Sequence, residues 1–308
     1  MAAYIFLKDI GKKNKNDIVI ADLSLGLEKG KKLAIVGSNN SGKSMLLRIL
    51  AGIIKADFGT IFIDGKEFLS NSKEIKKTIC YIPEHNDFYS DLSIYDNLFI
   101  YIKMFSELSS GEARKIILNW ADIFNFSDVL YLESCKVRSS KLRIISLARA
   151  FIQQPDILIM DQPTKNLDIE NQSLFWSKTK SVLKNTTVIY SSYDFSEIEK
   201  YSDRISFLDR GKIRLNGSVE QIMNQTESYS YYRIIFKDFV DKGFSRILKE
   251  SSHCYHLSIN HNQIEFYSPN KIESVGLIKK AFEWDVLDFQ ERPFDFKDIF
   301  LTQTKSNL

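Results

Sequence analysis

The sequence predicts an α/β fold whose parallel sheet is covered on both faces, followed by a small α+β domain. Three observations carry this. Short, wholly apolar strand-like runs alternate with helically spaced apolar residues over the first two thirds of the chain. A glycine-rich loop stands between one such run and the helical pattern that follows. After Gly217 the composition turns towards Ser, Gln, Tyr and Asn, which divides residues 1–217 from 218–308. The chain has 308 residues, 44% hydrophobic and 26% charged, a globular mixture that excludes wholesale disorder. A net charge of +3 is too small to imply nucleic-acid binding.

In order along the chain, residues 4–7 and 18–25 read as strands, and 32–36 is a short apolar run. Residues 44–54 carry helical spacing at Leu46, Leu47, Leu50 and Ile54. Residues 93–128 are helix-biased, and 156–160 and 187–191 return to buried-strand character. Beyond the boundary, strand-like pieces at 229–236, 254–259 and 263–267 alternate with helical ones at 241–249 and 272–284. Three widely spaced cysteines, Cys80, Cys135 and Cys254, fit reduced thiols in the cytosol. No apolar run is long enough to span a bilayer, and residues 1–13 lack a signal-peptide pattern, so any membrane role runs through partners.

Gly37, Ser38, Asn39, Asn40, Ser41, Gly42, Lys43 and Ser44 fit the P-loop pattern G-x-x-x-x-G-K-[ST]. In that pattern backbone N–H groups wrap phosphate oxygens, the helix N-terminus adds partial positive charge, the lysine reaches the terminal phosphates and the hydroxyl ligates Mg²⁺. The run Ile157, Leu158, Ile159, Met160, Asp161 ends in a carboxylate placed to hold Mg²⁺ directly or through water. Together they specify a Mg·nucleotide site.

Leu147–Ala150, Pro155, Asp161–Thr164 and Asn166–Asp168 follow in an order that closely resembles the nucleotide-binding domain of ABC transporters. Tyr81–Glu84 and Ser191–Asp194 add further matches, at the loop facing the membrane partner and at the switch. The resemblance covers about residues 4–217. It implies ATP and Mg²⁺ as ligands, a P-loop NTPase core of RecA type with an antiparallel β subdomain, a helical subdomain at about 85–150, and two such domains closing over two ATP molecules. It also implies Mg²⁺ ligation by Ser44, Asp161 and Glu84. Glu84 and the stretch after it look like exporters of the ABC-2 and antibiotic-peptide type, in which Glu often replaces Gln. Residues 284–301 resemble the C-terminal extension of these exporters, which ends in a short acidic-aromatic helix.

Several positions depart from the family pattern. Gln162 stands where a glutamate orients or deprotonates water, and its amide cannot accept a proton. Tyr193 replaces the switch histidine. Arg138, Ser139 and Ser140 replace the signature Ser-Gly-Gly that closes over the opposite subunit's γ-phosphate, with Ser139 and Ser140 as alternative helix caps. Met45 lacks the hydroxyl the family supplies near the α-phosphate, and residues 11–17 offer no aromatic for adenine, leaving Tyr4 or Phe6 as substitutes.

The expectation is an ATP-binding subunit of a membrane exporter, peripheral on the cytoplasmic face. It hydrolyses weakly, works with a transmembrane permease and pairs with a second, intact ATP-binding subunit rather than with itself. The alternative is a soluble regulatory or ribosome-associated ABC protein. His253, Cys254, His256 and His261 read as a structural hairpin rather than a metal site, and Lys12, Lys13 and Lys15 as a solvated loop.

Overall fold

The computed structural model describes residues 3–299, except 16, 70, 225–228, 252, 253, 269, 270, 294 and 296. It divides into two compact units, residues 1–216 and 217–308. Among the described residues no helix is long and apolar enough to cross a membrane.

The first unit begins with β1 (Ile5–Asn14), β2 (Asp17–Leu27), β3 (Lys32–Val36), α1 (Lys43–Leu50), β4 (Phe58–Ile63), β5 (Lys66–Glu67), α2 (Ser72–Lys77) and β6 (Ile79–Ile82). Helices α3 (Ile94–Phe105), α4 (Ser110–Ile123) and α5 (Ser139–Gln153) follow. The chain then returns through β7 (Ile157–Asp161), α6 (Ile169–Val182), β8 (Thr187–Ser191), α7 (Phe195–Tyr201), β9 (Arg204–Asp209) and β10 (Lys212–Ser218). One sheet runs in the order β10-β9-β3-β8-β7-β6, with the pairs from β9 to β6 parallel. Every residue of β7 and β8 is buried, which is what a sheet covered on both faces requires. A second sheet, in the order β2-β1-β4-β5, is antiparallel.

Helix starts follow local chemistry. Ser93 accepts from the Asp96 amide ahead of α3, and Ser109 and Glu112 form a reciprocal capping box ahead of α4. Helix α5 begins differently: Arg138 is its N-cap and its side chain accepts no capping hydrogen bond, and Ser139 and Ser140 are exposed helical residues rather than caps. Element ends also differ from those the sequence predicts. Helix α1 stops at Leu50 instead of Ile54 because the amides of Ile53 and Ile54 both turn back to the Arg48 carbonyl. Lys12 and Lys13 belong to β1 rather than a loop, and the Lys12 ammonium lies 2.7 Å from Asp57.

The second unit contains α8 (Val219–Asn224), β11 (Ser230–Phe236), α9 (Lys242–Glu250), β12 (Tyr255–Asn260), β13 (Gln263–Ser268), α10 (Lys271–Ala281) and β14 (Val286–Pro293). The succession from β11 to β14 is β-α-β-β-α-β, and the sheet order β12-β13-β11-β14 is antiparallel throughout: a split βαβ, or ferredoxin-like, arrangement. Tyr232, Ile234, Phe236, Ile264 and Phe266 turn one face of the sheet towards Phe244, Leu248 and Ala281. Within the 284–301 extension, residues 286–293 form the edge strand β14, and helical geometry covers 297–299, in the stretch where the resemblance implies a short acidic-aromatic helix. Phe296, Phe300 and Leu301 lie outside the described residues, as does His253. Cys254, His256 and His261 belong to the β12-β13 hairpin region, and no group of three metal-ligating side chains occurs among the described residues.

Candidate phosphate-binding site

The parallel register assembles the site. Ile35 pairs with Ser191 and Ser191 pairs with Asp161, so the ends of β3, β8 and β7 stand side by side. The loop 37–42 leaves β3 and enters α1 through Gly42, whose φ of 104° is left-handed. A Cβ on Gly37 would stand 2.1 Å from the Leu208 carbonyl oxygen, and one on Gly42 would stand 2.8 Å from the Val19 carbonyl oxygen. Both positions therefore exclude every side chain.

Lys43 is 5% exposed. Its ammonium donates to the carbonyl oxygens of Gly37 (2.8 Å) and Ser38 (2.7 Å) and reaches Ser41 Oγ at 3.4 Å. Burial pushes its pKa down to about 8, against the pull of Asp161 and Glu84. Above it lies Tyr193, with the ammonium 4.6 Å from the ring centroid and the phenol donating to Asn39 Oδ1 at 2.6 Å. Tyr193 is thus in direct contact with the loop. Burial, then Glu84 and Asp161, raises its own pKa, so it is a donor at neutral pH.

Asp161 is 2% exposed and accepts from Ser191 Oγ at 2.6 Å. The same Ser191 Oγ accepts from the Gln162 amide at 2.9 Å, and Gln162 holds a left-handed φ of 46°. Glu84 faces Lys165 at 2.5 Å, a contact that holds its carboxyl below the usual range. Ser44 is the second residue of α1 and is half-buried, Asn40 is exposed with φ 63°, and Arg138, Ser139 and Ser140 are exposed. Met45 packs against the apolar core, and Tyr4, 9% exposed, belongs to that core, which removes it as an adenine platform; Phe6 remains exposed on β1.

The donor set suits Mg²⁺: a hydroxyl at Ser44 and carboxylates at Asp161 and Glu84 are hard oxygen ligands. An ion there would draw its other ligands from phosphate and water, as Mg²⁺ commonly does. Sequence reading missed three contributors. Arg143 and Lys165 bind the loop at Glu84 and the end of β7, and the buried carboxylate of Glu197 accepts from Thr164 Oγ1 (2.6 Å) and Trp176 Nε1 (2.7 Å). Each partner is distant in sequence or is main chain, so no spacing announces it.

Residues 20–165 match the ABC transporter family. The molybdate/tungstate import ATP-binding protein WtpC of Thermococcus kodakarensis is 24% identical over 241 residues, spanning 77% of this chain and 72% of that protein. The Nod factor export ATP-binding protein I of Burkholderia orbicola is 26% identical over 214 residues, spanning 68% of this chain and 69% of that protein. A solved ATP-binding subunit of an ABC transporter superposes with a TM-score of 0.67 at 21% identity, covering 72% of this chain and 92% of that one, a likeness of fold. Over residues 20–165 the chain is similar to ABC transporter ATP-binding domains.

Proposed function

We propose that the chain is the ATP-binding subunit of a membrane exporter, working with a transmembrane permease and a second ATP-binding subunit. The observation that carries it is the alignment of the side-chain-excluding loop at Lys43 with Asp161 through Ser191. In this reading Lys43 and the loop amides hold the phosphates, Ser44 and Asp161 hold Mg²⁺, and Glu84 joins them on leaving Lys165. Mg²⁺ neutralises phosphate charge as the two ATP-binding subunits close. Support for export comes from Glu84 and from the Burkholderia relative named for export. The Thermococcus relative, named for import, favours the opposite direction as a second reading. A Lys43→Ala strain separates them: exporter loss sensitises cells to a panel of antibiotic peptides, whereas importer loss leaves sensitivity unchanged and lowers uptake of oxyanions or metal ions.

Hydrolysis by this subunit is slow in this reading because Gln162 cannot accept a proton and Tyr193 sits over Lys43. Gln162→Glu restores a base and raises steady-state ATP turnover at least about tenfold, within the roughly 10²–10⁴ that such a group contributes. Wild-type turnover already at the variant's level would refute slow hydrolysis.

A further inference from the structure

Helix α5 carries an arginine whose partners are all main chain. Arg143 is 3% exposed. Its Nε donates to the Pro163 carbonyl (2.8 Å), Nη1 to those of Pro83 (2.5 Å) and Glu84 (3.4 Å), and Nη2 to those of Asp161 (2.9 Å) and Gln162 (2.8 Å). The β6-β7 ladder has its last pair at Ile82 and Met160, one residue before those carbonyls begin. The guanidinium therefore takes over where the ladder stops, joining the strand ends that carry Glu84, Asp161 and Gln162. It stands one helical turn from Ser139, so it also ties them to the start of α5. A planar fork of five donors on three nitrogens reaches five carbonyls, whereas a lysine ammonium has three donors on one nitrogen and leaves at least two of them unmet. The Glu84–Lys165 pair links the same two segments through side chains.

We propose that Arg143 is a positioning residue that fixes the Glu84 loop and the β7 end at the separation a nucleotide-bound divalent cation needs. This rests on the Mg·ATP reading above. It predicts that Arg143 governs cation affinity and leaves nucleotide affinity in the absence of cation unchanged. Groups that orient metal ligands typically contribute about 10–100-fold to metal affinity.

The test uses the full chain as wild type, Arg143→Lys and Arg143→Gln. Folding is checked by circular dichroism, binding of a fluorescent ATP analogue is measured in EDTA and in Mg²⁺, and Mn²⁺ affinity of the ATP-bound protein is read by electron paramagnetic resonance. The expected result is EDTA affinity within about twofold of wild type with Mn²⁺ affinity lowered about 10–100-fold in both variants. Because the fork and not the charge is required, lysine does not rescue. A folded variant with wild-type Mn²⁺ affinity, or full rescue by lysine, overturns the proposal alone. Wild type that binds no ATP with or without Mg²⁺ overturns the Mg·ATP reading and this proposal with it. If neither variant folds, hydrogen exchange on wild type decides: Mg²⁺ added to the ATP-bound protein must protect residues 83–86, 161–165 and the first turn of α5 together. Independent protection of the three segments overturns it.

Discussion

Lys43 is a cation driven towards neutrality by its burial, and its proton becomes a reporter of phosphate binding. The free folded chain releases that proton around pH 8, whereas an unfolded lysine keeps it to about 10.4. Between these values the unfolded chain binds more protons, so this group's contribution to stability rises with pH across the window. A phosphate beside the ammonium restores the ordinary affinity. ATP binding at pH 8.5 therefore takes up about 0.5–0.8 proton per nucleotide, and at pH 6.5 none, as calorimetry in buffers of different ionisation enthalpy would measure. Equal uptake at both pH values would mean that another group titrates. Tyr193 competes for the same surface, through its ring on Lys43 and its phenol on Asn39. Tyr193→Ala removes both contacts and tightens ATP binding about 3–10-fold, and Tyr193→Phe, which keeps the ring, achieves less than half of that free energy. Looser binding by the alanine variant would instead show Tyr193 to be part of the phosphate site.

At the scale of elements, the second unit closes its sheet with an ion pair. Asp298, 1% exposed, accepts both arms of the Arg292 guanidinium on β14 and a hydrogen bond from Tyr267 on β13. Burial opposes the charge of Asp298, but Arg292 and the Asp295 amide hold its carboxyl below the usual range. Its contribution is present above the unfolded aspartate pKa and is lost as pH falls through the lower folded value. Asp298→Ala leaves Arg292 its longer carboxylate contact with Asp295 at 3.4 Å and lowers the stability of this unit by about 2–4 kcal/mol, while ATP affinity stays unchanged. Thermal melts of the full chain followed alongside ATP titrations check both halves. This contact also marks where sequence reading stopped. Strands β7 and β8 are legible because burial on both faces leaves an unbroken apolar run, and the P-loop is legible because two glycines and a lysine have no substitutes there. Strand β14 is an edge strand with every side chain exposed or half-exposed, so Val286–Pro293 has no apolar alternation to read and its strand is not legible in the sequence. Arg143 escaped notice for a related reason: its partners are carbonyl groups, which every residue owns.

At the scale of the molecule, the reading proposed above gives the start of α5 a partner surface that is poorly suited to meeting a copy of itself. In the closed pair proposed here, the exposed start of α5 presents Arg138, Ser139 and Ser140 to the other subunit's phosphate. Glycine lets backbone approach an anion closely, and side chains at 139 and 140 hold it away. A self-pair would place this segment at both sites and Gln162 at both; a mixed pair with a subunit of ordinary sequence contributes one compliant segment and one base. With Mg·ATP, the chain alone should remain monomeric at micromolar concentration, and addition of the companion ATP-binding subunit should give a 1:1 species by light scattering. Arg138→Ser together with Ser139→Gly and Ser140→Gly should then permit self-association with ATP, because only the start of α5 has changed. A wild-type chain that dimerises with ATP as readily as this triple variant would show that the side chains at 138–140 are no obstacle, and the mixed pair would lose its physical reason.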